Sequence, residues 1–440
     1  MESLWEKTAS QRSFDRLEGD ASCDVLIIGG GLAGILCAYM LKEAGIDYIL
    51  VEADKICSGV TKNTTAKITS QHGLIYDKLI RKFGVKKAGL YLRANEEALQ
   101  RYRELCKNID CNFEEKDNIV YSTGSRTKID KEIAALKVLV YPAEKLGSLE
   151  LPFPVAGAVK FPRQAQFNPL EFVSVISRGL RIYEQTPVRE LIGTTAVTER
   201  GKIFAKRIVV ATHFPFLNKH GLYFIKMYQH RSYVIALEGA PQVNGMYVDE
   251  APKGMSFRTY ENLLLVGGGD HRTGKTGGGW QELRDFAAKH FPGAVEKHHW
   301  ATQDCITLDE VPYIGRYSKN TANLYVATGF NKWGMTTSMV AATLLCDMLA
   351  GKTSPYEEVF DPSRSILRPQ LALNAASAVI NILTPTLPRC PHMGCALKWN
   401  PVERTWDCPC HGSRFAGDGK LIDNPATGDL KLSARQKERD

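Results

Sequence analysis

Four residues near the C-terminus have the types and spacing of a metal centre. Cys390-x-His392 and Cys408-x-x-His411 are separated by 15 residues. Thiolate sulfur and neutral imidazole nitrogen are both good ligands for zinc and for iron. Zinc is one occupant of such a set, although zinc fingers pair Cys with Cys and His with His rather than interleaving them. A second pattern lies at the other end of the chain. Gly29-x-Gly31-x-x-Gly34 is followed, 18 residues after Gly34, by Glu52. The glycines allow a tight turn, a close approach of backbone to a pyrophosphate, and helix-on-strand packing, and a carboxylate at that distance can accept ribose hydroxyls. A third pattern, Gly269 to Thr276, fits GxxxxGK[ST]. It is followed by Gly277-Gly278-Gly279, which oppose the helix that a phosphate loop needs, so it reads as a loop leaving a sheet.

The glycine pattern needs a strand before it and a helix after it. Asp24–Ile28 is a short apolar run bounded by glycine, which reads as a buried parallel strand. Helical periodicity then runs through Leu36, Met40 and Leu41, Gly45 sits at a C-cap, and Tyr48–Val51 ends at Glu52. Amphipathic helical spacing marks 75–106, a helix opened by Asn168-Pro169 marks 165–180, and a helix marks 281–291. Residues 222–270 are strand-rich. Residues 323–351 read as strand, glycine turn and helix. The first 21 residues read as an irregular leader, and 364–388 as a linker with room for one helix.

Composition bounds what these elements can be. The 440 residues are 44% hydrophobic and 24% charged, values of an ordinary globular protein with two or three domains. No run of 18 or more apolar residues exists, so no membrane span is expected, and the polar N-terminus lacks a secretory h-region. The net charge of +8 is spread along the chain, which argues against nucleic-acid binding. Cysteines scattered without a signal peptide read as reduced thiols in a cytoplasmic protein.

Residues 22–363 resemble the D-amino-acid-oxidase-like (DAO) family of FAD-dependent oxidoreductases. The resemblance is carried by GGGLAG…VEA, SGVTKNTTAKITSQHG (58–73), VVATH (209–213) and DEVPYIGR…NLYVATGFNKWGMTTSMVAATLL (309–345). It implies an α/β (α+β overall) fold: a Rossmann-like FAD-binding domain with an inserted mixed-sheet substrate domain. The FAD-binding segments would be about 22–75, 165–215 and 305–351, and the substrate segments about 76–164 and 216–304. By resemblance, Gly329, Lys332, Trp333, Gly334, Met335 and Thr336 lie along the flavin. Thr64, Thr65, Ala66 and Lys67 line its other side, and Val188 covers the adenine. Relatives that take amino acids often clamp the carboxylate with Arg, and Arg258, Arg231 and Tyr233 are the candidate substrate contacts.

Residues 389–440 resemble the Rieske iron–sulfur family and form a small β-rich module. In that family two thiolates hold one iron of a [2Fe–2S] cluster and two imidazoles the other, which assigns Cys390, His392, Cys408 and His411 as ligands. Cys395 and Cys410 match a bracing disulfide, and Ser413 matches a hydrogen-bond donor to cluster sulfur. Phe415 stands where a tyrosine often supplies a second such bond, which implies a lower potential. Asn424-Pro425-Ala426 matches the closing turn. The strands that precede the first ligand loop in the family are missing, so the module is expected to be partial. Together the resemblances imply an enzyme that oxidises a small-molecule amine or amino acid by hydride transfer to FAD. Electrons would pass singly to the cluster and on to an external acceptor. The alternatives are a peroxide-forming flavin oxidase with an inert tail, or a flavin-bearing redox sensor.

Overall fold

The computed structural model describes residues 2–10, 12–386 and 388–432. These form three sheets. The first is built on Ala21–Ile28, which pairs in parallel with Tyr48–Val51 on one side and Lys202–Val210 on the other. Ile182–Tyr183 extends one edge, and Leu324–Thr328 with antiparallel Tyr313–Arg316 extends the other. The central strands are covered on both faces, which is why VLII and YILV are continuous apolar runs without alternation. Helices Leu32–Glu43 and Gly334–Leu349, far apart in sequence, pack against each other on this sheet.

The second sheet has nine strands and carries the helix-rich insertions. Its long strand Met227–Glu238 lies between Leu263–Arg272 and Val295–Thr307, antiparallel to both. Side chains alternate across a strand, so Gln229, Arg231 and Tyr233 share one face. The 75–106 pattern forms Tyr76–Cys106, broken at Gly84, where φ is 81°. Asn168 caps Pro169–Ile176 by accepting from the Leu170 and Glu171 amides, as the Asn-Pro pair predicts.

The leader opens on one helical turn and is otherwise without helix or strand among the described residues up to Asp20. Ser3 and Glu6 form a capping box on helix Leu4–Thr8. Trp5 is fully buried and donates its indole N–H to the Thr64 carbonyl at 2.7 Å. A single buried turn leaves no periodicity to read, so only the capping pair could have signalled it. The third sheet is four short strands, Lys398–Asn400, Thr405–Asp407, Arg414–Ala416 and Leu421–Asp423, in sequential order. Helix Pro369–Leu383 precedes it.

Candidate functional site

The glycine turn sits at the carboxyl end of Ala21–Ile28, where an open α/β sheet binds ligands. Gly31 is the N-cap of Leu32–Glu43 and offers no side-chain cap. Thr61 Oγ1 accepts from the Leu32 amide at 3.1 Å, and the other first-turn amides are left to an anion. Gly34 is fixed by space: a Cβ there would lie 2.0 Å from the Gly29 carbonyl oxygen. The Glu52 carboxylate accepts from the Gly30 amide at 2.6 Å and the Asp54 amide at 3.0 Å. Burial raises its pKa, against those backbone hydrogen bonds. Each oxygen keeps a lone pair for a ribose hydroxyl.

A cavity of about 1320 Å³ opens at this turn. Gly29, Gly31, Glu52, Val188, Gly329, Gly334 and Met335 all line it, from three separate stretches of sequence. Its size, its phosphate-ready helix end and its ribose-ready carboxylate fit FAD. Thr64, Thr65, Ala66, Lys67, Lys332, Trp333 and Thr336 lie beside it rather than on its wall, and Lys62 and Asn63 line it in their place. The two flanking segments are nevertheless joined. Thr336 Oγ1 donates to the Thr69 carbonyl at 2.6 Å and accepts from the Thr69 amide at 3.1 Å. Trp333 stacks on His72 with centroids 5.1 Å apart, and Lys332 pairs with Asp270. Lys67 is buried, which lowers its pKa to about 7, with the nearby Arg258 charge adding to the effect.

The three expected substrate contacts have other partners. Arg231 donates Nε to Glu403 Oε1 at 3.0 Å and pairs through Nη2 with Glu403 Oε2. The Tyr233 hydroxyl donates to Glu403 at 2.9 Å. Both therefore hold the C-terminal module, because it covers their face of Met227–Glu238. Arg258 is fully buried and donates Nη1 to the carbonyls of Thr65 and Ala66 at 2.6 and 2.9 Å. Its Nε and Nη2 have no hydrogen-bond partner among the described residues.

The module brings its four expected ligands together. The His392 and His411 rings are 4.9 Å apart at 88°. Both Nδ1 atoms are buried with no hydrogen-bond partner among the described residues, as two imidazoles aimed at a metal must be. His392 Nε2 is held by Asn218 Oδ1 at 2.9 Å, an outer contact that fixes the ring. The Cys390 thiol lies beside both Cys408 and the Ser413 hydroxyl. These residues fit a two-thiolate, two-imidazole cluster. The Cys395, Cys408 and Cys410 sulfurs lie within 4.8 Å of one another. Cys395 and Cys410 are nonetheless free thiols, so the expected disulfide is not formed here.

Side chains of the second sheet and backbone carbonyls of the loop that follows Lys202–Val210 hold the module's ligand loop and closing turn. Gln229 Nε2 donates to the His411 carbonyl, and Gln303 Nε2 to the Gly412 carbonyl, both at 2.9 Å. Asn424 Nδ2 donates to the carbonyls of Thr212 and Phe214 at 2.6 and 2.9 Å. Arg414 donates to Glu403 at 2.8 Å, Asp407 at 3.0 Å and Asp423 at 3.1 Å. The loop with the phosphate-loop pattern packs here too. Helix Gly279–His290 starts only at the last glycine of the run, and Gly274, at φ 73°, abuts the ligand loop. A Cβ on Gly274 would lie 2.7 Å from Pro409 Cα. Sequence reasoning missed Gln229, Gln303, Glu403 and Arg414. They also missed His213, which lines the cavity and whose buried Nε2 has no partner among the described residues.

Fold and site define a flavoprotein with a docked iron–sulfur module. Residues 24–348 match the DAO family, FAD dependent oxidoreductase, and residues 381–433 match the Rieske [2Fe-2S] domain. The chain belongs to the DAO family and carries a Rieske domain; its cofactors are FAD and a [2Fe–2S] cluster. It is 34% identical to the Rieske 2Fe-2S iron-sulfur protein YhfW of Bacillus subtilis (strain 168), over 98% of this chain and 97% of that one. It is 23% identical to gamma-glutamylputrescine oxidoreductase of Escherichia coli (strain K12), over 82% of this chain and 93% of that one. L-proline dehydrogenase from P. horikoshii superposes with a TM-score of 0.66 at 18% identity, over 79% of this chain and 98% of that one.

Proposed function

We propose that this enzyme oxidises an amine or amino acid at a carbon next to nitrogen and delivers the electrons through its Rieske cluster to an external acceptor. One observation carries the reading. The cavity that starts at the glycine turn ends on residues of the Rieske module, among them Glu403, Arg414 and Asn424. FAD supplies two-electron chemistry and the cluster one-electron chemistry, so together they link a hydride donor to a one-electron acceptor. The protein's own residues do the positioning. Gln229 and Gln303 hold the His411–Gly412 backbone against the sheet that lines the cavity, and Asn424 ties the closing turn to Thr212 and Phe214. The donor class is supported by relatives named for amine and proline substrates.

Arg258 is the candidate carboxylate clamp on its chemistry alone: its unpaired Nε–Nη2 edge is the fork that binds a carboxylate side-on, on a side chain that is fully buried behind the cavity wall. The test is anaerobic titration with amines and amino acids, following flavin absorbance. Bleaching by an amine or amino acid, with slow oxygen consumption and little peroxide, is the expected result. Rapid peroxide formation with no effect of cluster loss would instead make the chain a simple oxidase. If an amino acid is the donor, Arg258→Lys should raise KM more than it lowers kcat.

A further inference from the structure

Helix Pro369–Leu383 is packed inside out. Asn374 and Asn381 are 5% and 6% exposed, while Leu373, Ile380 and Leu383 are 60%, 64% and 74% exposed. The polar side serves the protein. Asn374 Nδ2 donates to the Ile225 carbonyl at 3.3 Å, and Asn374 Oδ1 accepts from Arg272 at 3.2 Å. The Asn381 carbonyl accepts from the Ala396 amide of the Rieske module at 3.0 Å. The outward residues from Ala372 to Leu383 spread over about half the helix circumference at 3.6 residues per turn. No charged residue occurs between Arg368 and Arg389.

A contiguous apolar face of this kind marks an interaction surface, and three observations select its occupant. The arc is wider than the narrow seam that a partner helix covers. The uncharged stretch is bracketed by Arg368 and Arg389; Arg368 lies over the Phe83 ring and Arg389 donates to the Ile382, Thr384 and Gly394 carbonyls, contacts that leave both positive charges unneutralised at the ends of the face, where they complement anionic headgroups. At 15 residues, about 22 Å long, the helix is too short to cross a bilayer and suits lying in its surface.

We infer that helix Pro369–Leu383 docks the protein on an anionic membrane surface with its apolar face in the headgroup–acyl boundary. The Rieske ligand loop goes with it. Arg389 Nη1 donates to the Ile382 carbonyl at 2.7 Å and the Gly394 carbonyl at 2.9 Å, tying helix end to loop. Met393, next to ligand His392, is exposed at the same end. Docking thus turns the cluster loop toward the bilayer, where a lipid-soluble acceptor would meet it; only this last consequence rests on the proposed electron relay.

The experiment is flotation of the full-length holoprotein with vesicles of phosphatidylcholine and phosphatidylglycerol, alongside light scattering without lipid. The wild type should float, less so in high salt. The triple variant Leu373→Gln, Ile380→Gln, Leu383→Gln should partition about a hundredfold more weakly while keeping its visible spectrum and iron content. A single Ile380→Trp variant covers the case in which the triple variant misfolds: its fluorescence should shift to the blue on adding vesicles. The inference is overturned if the wild type stays unbound to phosphatidylglycerol vesicles. It is equally overturned if the wild type is a dimer that the triple variant converts to monomer without any vesicle binding, which would assign the face to a second copy.

Discussion

Glu403 is the residue on which the two halves of the site depend. Burial alone would raise its pKa, but the Arg414 and Arg231 charges and their hydrogen bonds hold it down at about 2, below the ordinary 4.5. A depressed carboxylate contributes stability above its unfolded pKa and loses it as pH falls toward the folded one. Docking of the module should therefore be insensitive to pH above about 4.5 and fail progressively below it, read as iron release ahead of FAD release. Glu403→Ala leaves two buried guanidiniums short of a partner, a change that costs about 3–5 kcal/mol. A lower melting temperature for the module should report it. Phe415 is buried in the module core. Phe415→Tyr should raise the cluster potential by on the order of 50 mV, the worth of a modest hydrogen bond to a charged group, measured by EPR-monitored titration. Cys408→Ser should abolish iron binding and leave FAD bound. The Cys-x-His and Cys-x-x-His pairs that meet in the module, and the glycines that line the cavity, stood out in the sequence because each type has few alternative uses at that spacing. Arg231 and Tyr233 were not. A strand shows which residues share a face, but not whether substrate or protein covers that face.

The strand Met227–Glu238 and the 269–279 loop are the elements that join flavoprotein to module. The strand's alternation sends Gln229, Arg231 and Tyr233 to the module together. The loop's glycine content, which imitates a nucleotide motif, serves close packing against Pro409. Gly274→Ala should push the ligand loop away, because backbone atoms at 2.7 Å cannot yield as a side chain could. The expected phenotype is a normal flavin content with iron reduced severalfold, measured on the same sample. The βαβ unit and the strand–turn–helix over 323–351 were readable from apolar runs and glycine punctuation. The capped helix Leu4–Thr8 and the inside-out helix Pro369–Leu383 were harder to read. One is a single turn, and the other has its polar and apolar faces exchanged relative to an ordinary surface helix.

At the scale of the whole molecule, the Rieske module is anchored on the flavoprotein part of the chain. Its own four strands are each three residues long, and it is bonded to Gln229 and Gln303 of the second sheet, to Thr212 and Phe214, and to Asn381. The sequence did not show what the module packs on, because contacts between distant segments leave no local pattern. Held this way, cluster and flavin cavity have a fixed relation, the arrangement that the proposed passage of electrons between them requires. The most direct measurement is anaerobic photoreduction of the flavin in the intact protein, followed by low-temperature EPR of the frozen sample. The rhombic signal of a two-histidine, two-cysteine [2Fe–2S] cluster should grow in step with flavin bleaching. A fully bleached flavin beside a cluster that stays oxidised, yet accepts electrons from dithionite, would contradict it.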